Sequence, residues 1–281
     1  MKKILLATTM LVATTGFAAA EVTLSGEANM GLKYAENGYT AAGDDIGAWY
    51  EIDVDLVGST ETDSGLTFSA SMDLDFNANT SSNITDPEVS VSGAFGSLTI
   101  GAVDPGSDNL TIGLADPGFD GIGVDDIAEA LYVTSAADAL YMYSVSGFTV
   151  ALSTDVNGGS DNYSIGLGYA TDMYDVALGY DDDGVGDAAI TLDGSYKFGA
   201  ATVGAMYTDK NDDSAYGVEA SYALAGGITL SATYAKAEIG AGETDGFGLG
   251  VAYDLGGATL AGAVGEVADE TVAEVGVKFK F

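Results

Sequence analysis

Acidic side chains recur at every second position in two segments of the chain, which is the spacing that places them on one face of a β-strand. Glu51, Asp53 and Asp55 alternate with apolar residues in the first segment, and Asp73 and Asp75 do so in the second. Paired carboxylates can supply acid and base in glycoside hydrolysis. With 43 acidic residues in the chain, however, chance pairing is the better account. A row of carboxylates on one strand face instead indicates a surface that attracts cations.

The composition removes several common catalytic arrangements. The chain has no cysteine and no histidine, so it lacks thiol nucleophiles, thiolate zinc sites and Ser-His-Asp triads. Its formal net charge is −35, and its 8 basic residues are all lysine. A surface that reads phosphates needs clustered Lys and Arg, so nucleic acid is not expected as a partner. We therefore expect a protein that is not an enzyme and has no cofactor.

The first 20 residues have the three parts of a secretory signal peptide. Two lysines supply the positive start, residues 4–12 the apolar segment and residues 18–20 the small-residue cleavage site. The apolar segment is shorter than the roughly 20 residues that a membrane-spanning helix needs. We therefore expect 1–20 to be removed on export and 21–281 to form one folded unit.

Hydrophobic and polar residues alternate in short segments through the rest of the chain, to the aromatic Phe281. This alternation predicts an all-β protein with sixteen strands, an even number that suits a closed antiparallel barrel. The predicted strands are 21–35, 48–57, 65–76, 87–95, 97–103, 138–146, 147–155, 162–170, 174–181, 187–197, 200–208, 215–224, 228–237, 244–254, 257–266 and 270–281. Tight turns alternate with longer polar loops between them, as in barrels of the outer membrane.

The two faces of the strands indicate which one meets lipid. Charges facing the bilayer midplane cost up to a few kcal/mol, so the acids are expected to face water and Ile52 and Leu74 the hydrocarbon. Tyrosines bracket aliphatic residues in 163–169 and 174–180, as expected at the two membrane interfaces. A soluble β-sandwich or solenoid shows the same alternation and stays open on this evidence alone. We expect a transmembrane barrel, in contact with lipid, in the outer membrane of a Gram-negative bacterium.

Five short stretches resemble the sixteen-stranded general porins of α-proteobacteria, the Rhodobacter-type porins. They are EVTLSG at 21–26, TDSGL at 62–66, SGAFG at 92–96, YDLGG at 253–257 and VGVKFKF at 275–281. The stretches occur in the same order and cover both ends of 21–281. The resemblance implies that the long segment 104–137, the third long loop, folds into the barrel and narrows it. It also implies a homotrimer.

The resemblance further implies an acidic inner loop that faces basic residues on the barrel wall. The acidic residues of the loop are Asp104, Asp108, Asp116, Asp120, Asp125, Asp126 and Glu129. The wall, however, carries Glu51, Asp53, Asp55, Asp73 and Asp75 where bases are expected, and Lys33 is the only inward base of that sector. We therefore predict a water-filled, cation-selective channel for passive diffusion of small hydrophilic solutes and ions.

Several alternatives remain open. The chain could form a solute-specific outer-membrane channel, or a non-conducting acidic scaffold with a plugged lumen. Asp181, Asp183 and Asp187 could bind Ca²⁺ or another divalent cation weakly in an outer loop, but they lack the EF-hand spacing, and a solvated loop is the simpler account. Trp49, the sole tryptophan, is expected at a membrane interface or the barrel rim, with sugar stacking as the other interpretation.

Overall fold

Sixteen strands form the fold. The computed structural model describes residues 20–40, 43–78, 80–132, 137–158 and 161–281. The strands are β1 (Glu21–Ala35), β2 (Ile46–Glu61), β3 (Thr67–Asn77), β4 (Thr80–Gly93), β5 (Gly96–Val103), β6 (Ala137–Val145), β7 (Phe148–Thr154), β8 (Tyr163–Ala170), β9 (Tyr174–Asp182), β10 (Ala189–Phe198), β11 (Ala201–Lys210), β12 (Asp213–Ala223), β13 (Ile228–Ile239), β14 (Gly242–Asp254), β15 (Ala258–Val267) and β16 (Glu270–Lys280). The predicted signal peptide, 1–20, lies outside the described residues except for Ala20.

The strands close into a barrel because the first and last of them pair. Every strand is antiparallel to its sequence neighbours, and β1 pairs with β16 from Glu27 opposite Lys280 to Ala35 opposite Val272. Gly26 and Phe281 extend this seam by exchanging two backbone hydrogen bonds of 2.9 and 3.0 Å. The prediction of an all-β, sixteen-stranded antiparallel barrel is confirmed.

The main departure from the predicted strands is at β4. The sequence predicted a polar loop over 77–86, between the strands predicted at 65–76 and 87–95. Proline cannot donate a hydrogen bond to a strand ladder. β4 instead begins at Thr80 and passes through Pro87. A β-bulge makes this possible: Asp86 has a φ of 50°, and the register with β3 shifts between Ser71 and Asp73. The bulge leaves the proline outside the regular pairing.

Apolar side chains cover the outside of the barrel, as the alternation predicted. Leu167 and Met72 on the outer face are 51% and 37% exposed, whereas Glu51 and Asp73 on the inner face are half-buried. The outer surface is therefore suited to hydrocarbon and the inner surface to water.

The third loop, residues 104–136, joins β5 to β6 and carries a short helix, α1 (Val124–Ala128). Residues 133–136 of this loop lie outside the described part of the chain. β6 starts at Ala137, so the loop ends one residue earlier than predicted. Among the described residues, no helix has the length and apolar character needed to cross a membrane.

Most of the buried core lies between the third loop and the barrel wall. Leu114, Val124 and Ile127 of the loop pack with Met206 and Ala235 of the wall. Burial of this apolar surface stabilises the loop inside the lumen. The expectation that the long third loop folds into the barrel is thus met.

The orientation of β3 predicts that the same charge destabilises the barrel to different extents at two adjacent positions. Met72→Lys places an ammonium on the outer face and is expected to lower the free energy of unfolding by about 2–4 kcal/mol near the bilayer midplane. Ser71→Lys, at nearly the same height on the inner face, is expected to cost less than about 1 kcal/mol. Urea unfolding in lipid vesicles measures both. Equal losses would contradict the assignment of the two faces.

Candidate functional site

The third loop and the facing wall line an open cavity of about 480 Å³. Nine of the predicted site residues line it: Lys33, Glu51, Asp53, Asp108, Asp116, Asp120, Asp125, Asp126 and Glu129. The lining also includes three polar or charged residues of the wall that were not among the predicted site residues, namely Glu27, Asn29 and Lys278. The cavity is therefore acidic on its loop side and on its wall side.

Four predicted residues do not line this cavity: Asp55, Asp73, Asp75 and Asp104. Asp55 lies opposite Asp73 on the neighbouring strand, and Asp53 lies opposite Asp75. The Thr85 hydroxyl donates a 2.7 Å hydrogen bond to the Asp75 carboxylate. Directly opposed like charges destabilise a sheet, and water in the lumen weakens that repulsion. These residues extend the acidic wall beyond the cavity.

Three carboxylates of the barrel wall accept hydrogen bonds from backbone N–H groups of the third loop. Asp193 on β10 accepts hydrogen bonds from the Ile112 and Gly113 N–H groups. Glu219 on β12 accepts one from the Ala115 N–H group.

Glu274 on β16 accepts bonds from the Asp120 and Gly121 N–H groups, both at 3.0 Å. We did not predict this role for Asp193, Glu219 and Glu274, because each is a single acidic residue in a chain that has 43 of them. Their inward position in the alternation was the only available signal.

The start of the third loop is held by serines and by Asp181. The Ser153 and Ser164 hydroxyls accept hydrogen bonds from the Gly106 and Ser107 N–H groups, both at 2.8 Å. The Ser107 hydroxyl donates to the Asp181 carboxylate at 2.6 Å. Asp181 is thus a buried acceptor for the loop rather than part of an exposed acidic patch.

Asp183, the next residue of the proposed calcium site, bonds instead within its own turn. Its carboxylate accepts hydrogen bonds from the Val185 and Gly186 N–H groups at 2.9 and 2.8 Å. In the described part of the chain, no group of three or more acidic side chains is arranged to hold a metal ion. Calcium binding at Asp181, Asp183 and Asp187 stays a prediction, without support from this geometry.

Inside the loop, Asp116 supports the start of α1. Its carboxylate accepts hydrogen bonds from the Gly123 and Val124 N–H groups, where a helix leaves donors unpaired. Burial, followed by repulsion from Asp125, raises the pKa of Asp116 to about 8. Burial and the Asp125 charge also raise the pKa of Glu129 to about 7. Burial raises the pKa of Asp125 too, with Asp126 as the second cause.

Lys33 has its charge engaged by the third loop and the wall. Its ammonium forms an ion pair with Asp120 and lies 3.5 Å from the Glu274 carboxylate. It also lies 4.8 Å from the centre of the Trp49 ring. Trp49 therefore faces the lumen rather than the membrane interface. The other position expected from sequence, the barrel rim, stays a prediction. The inward parity of Glu51, two residues later, would have placed Trp49 on the lumen face.

Glycines on the inner face of the wall make room for the third loop. A Cβ atom at Gly217 would overlap the Leu114 side chain. A Cβ at Gly248 or at Gly265 would lie 2.8 Å from the end of the Ile122 side chain. The loop packs closely on the wall because these strand positions have no side chain.

The loop anchors predict a local effect on amide exchange. Asp193→Ala is expected to speed exchange of the Ile112 and Gly113 amides at least tenfold, since a hydrogen bond to a charged group contributes about 1.5–3 kcal/mol. Asp175→Ala is the control, because Asp175 accepts bonds from Ser195 within the wall, at 3.2 and 2.8 Å. Hydrogen–deuterium exchange measures both variants. If the loop amides exchange equally in the two, Asp193 does not position the loop.

Comparison with known proteins agrees with this architecture. The sequence model described as "Gram-negative porin" matches residues 7–271. The porins of Rhodobacter capsulatus and Fuscovulum blasticum are each 29% identical to this chain over 93% of its length and all of theirs. The solved structure of a multiply substituted mutant of Rh. blastica porin superposes with a TM-score of 0.81 at 24% identity, over 93% of this chain and 100% of that one. The chain belongs to the Gram-negative porin family, and it is a multi-pass β-barrel of the outer membrane rather than a member of an enzyme family.

Proposed function

We propose that the barrel is a water-filled channel for passive diffusion of small hydrophilic solutes and ions, and that it prefers cations. The observation that carries the proposal is the distribution of charge around the 480 Å³ cavity. Its wall side presents Glu27, Glu51 and Asp53. Its loop side presents Asp108, Asp116, Asp120, Asp125, Asp126 and Glu129. A path between two acidic surfaces attracts cations and repels anions.

The bases near the cavity offset little of this charge. The Lys33 ammonium is held between Asp120 and Glu274, and its side chain is only 17% exposed. Lys280 lies 3.3 Å from the Glu27 carboxylate. Lys278 is the remaining base among the lining residues. The protein and the surrounding lipid have a low dielectric constant, which focuses the negative potential into the aqueous path.

This distribution of charge supports an electric field in the pore that differs from the one implied by the family resemblance. An acidic loop facing a basic wall would create a transverse field across the pore. Here Glu51 and Asp53 stand on the wall across from the acidic loop. We therefore propose that the charge of the lumen is predominantly negative. We also propose that the barrel assembles as a homotrimer, as the resemblance implies.

A solute-specific channel is the second candidate, because an aromatic ring lies in the lumen wall. Trp49 faces the lumen, with the centre of its ring 4.8 Å from the Lys33 ammonium. Flux that saturates with solute concentration would favour this candidate over general diffusion. Purified protein that forms no conducting channel in planar bilayers would instead favour the acidic scaffold.

Removing wall charges from the cavity is expected to weaken cation preference. A unit charge about 8 Å from the ion path changes an ion's energy by about 0.5 kcal/mol in water, or about twofold in preference. Glu51→Gln with Asp53→Asn is therefore expected to lower the cation-to-anion permeability ratio at least about fourfold. The zero-current potential under a salt gradient measures this ratio.

The matched control is Asp73→Asn with Asp75→Asn, which removes the same charge from a neighbouring strand outside the cavity lining. Its effect is expected to be smaller. A wild-type channel that prefers anions would refute the proposal. Equal effects of the two pairs would show that the cavity is not where ions are selected.

The raised pKa values in the loop predict a pH dependence. Asp116 and Glu129, with pKa values of about 8 and about 7, are largely neutral at pH 6 and ionise as the pH rises. Each ionisation adds negative charge beside the path, so the permeability ratio is expected to rise between pH 6 and 9. Asp116→Asn with Glu129→Gln should flatten this rise. A ratio that is constant or falls over that range in the wild type would contradict the prediction.

A further inference from the structure

We propose that residues 119–121 form a latch that ties the third loop across the seam between β1 and β16, with Lys33 as its positioning residue. The latch is distinct from the ion preference proposed above. It holds the loop tip in place and, because it grips the first and last strands together, it also strengthens closure of the barrel.

The aromatic part of the latch fits a pocket made by two glycines. Phe119 is only 2% exposed, which makes it one of the most deeply buried large side chains among the described residues. Gly31 on β1 and Gly276 on β16 lie directly opposite each other at the seam. A Cβ atom at Gly31 would lie 2.6 Å from the end of the Phe119 ring, and one at Gly276 would lie 2.6 Å from its Cγ. The ring thus occupies the space that side chains on both strands would fill.

The polar part of the latch uses the same two strands. From β16, the Glu274 carboxylate accepts the Asp120 and Gly121 N–H groups at 3.0 Å. From β1, the Asn29 amide donates to the Asp120 carboxylate at 2.9 Å. Lys33, also on β1, forms an ion pair with Asp120 and donates to the Gly121 carbonyl oxygen at 3.3 Å. Each of residues 119–121 therefore contacts both β1 and β16.

Lys33 is positioned for this role by rings on two sides. Its ammonium lies 4.8 Å from the centre of the Trp49 ring and 5.9 Å from that of Phe119. Cations over aromatic faces are attracted by the ring quadrupole. With Asp120 and Glu274 as partners as well, the ammonium is held between the third loop and the wall.

The location of the latch gives it a second consequence. β1 and β16 are far apart in sequence and their pairing closes the barrel, so the entropy of the open chain opposes it. The third loop is attached to β5 and β6, and its tip binds both seam strands from inside the lumen. Separation of β1 from β16 therefore also requires the contacts of the latch to break, which raises the free energy needed to separate the two strands.

The test compares four variants in hydrogen–deuterium exchange. Lys33→Met and Phe119→Ala remove the polar and aromatic parts of the latch. Leu114→Ala is the matched control for a loop contact away from the seam, because Leu114 packs on Gly217 of β12. Lys278→Met is the control for charge, because Lys278 lines the same cavity from β16.

The expected result is local. Seam amides of β1 and β16 exchange at least tenfold faster in Lys33→Met and Phe119→Ala, while in Leu114→Ala and Lys278→Met they keep the wild-type rate. Wild-type exchange of the seam in Lys33→Met and Phe119→Ala would overturn the proposal. So would equal acceleration of the seam in Leu114→Ala. Lys33→Met keeps the inference testable if the aromatic variant fails to fold.

Single-channel recording separates the positioning role of Lys33 from its charge. Lys33→Met is expected to raise the conductance and the current noise, because the loop tip is released. Lys278→Met is expected to shift only the zero-current potential. If both variants shift only that potential, Lys33 acts as a pore charge and the latch is refuted. Failure of the cation preference would appear in the sign of the wild-type potential and would leave the exchange comparison unaffected.

Discussion

The structure depends on one constraint: a loop without strand partners must satisfy its backbone N–H groups inside the barrel. Buried donors left without acceptors cost free energy comparable to a lost hydrogen bond. Asp193, Glu219 and Glu274 supply the acceptors, from three strands spaced around the wall. Charged acceptors make stronger hydrogen bonds than neutral ones. The position of the loop, and with it the shape of the cavity, follows from where these carboxylates stand.

Wall acids therefore have two different physical roles. Those that accept loop N–H groups have their charge compensated by donors and, at Glu274, by Lys33. Those that line the cavity, such as Glu51 and Asp53, would add to the potential that an ion meets in the proposed channel. A net charge of −35 thus overstates the charge that acts on the path. Counting acids cannot distinguish the two roles, whereas the direction of each carboxylate can.

The period-2 alternation was enough to predict sixteen strands with two chemically different faces, because a barrel wall needs opposite chemistry on its two faces at every strand. The choice of a membrane barrel over a soluble sandwich also needed the even strand count, the tyrosine positions and the family resemblance. The largest failure of the alternation was where the backbone leaves the regular ladder, at the bulge of Asp86 before Pro87. The site was less predictable for a similar reason. Alternation predicts which face of the sheet a side chain lies on, but it predicts neither the height of the side chain along the barrel nor the group that it contacts. It therefore placed Glu51 inward without indicating that Glu274 would bind the loop.

The inner face of the barrel wall has two parts, one rich in glycine and one rich in acidic residues. From β8 to β16 the inner face repeatedly has glycine where the loop packs, as at Gly166, Gly217 and Gly248, while the alternating outward positions keep large apolar residues such as Leu167. β2 and β3 instead have acids on that face. A loop that packs on bare backbone leaves the charged part of the wall to water. The inner face of the wall thus has glycines where the third loop packs and, on β2 and β3, carboxylates that would face the aqueous path of the proposed channel.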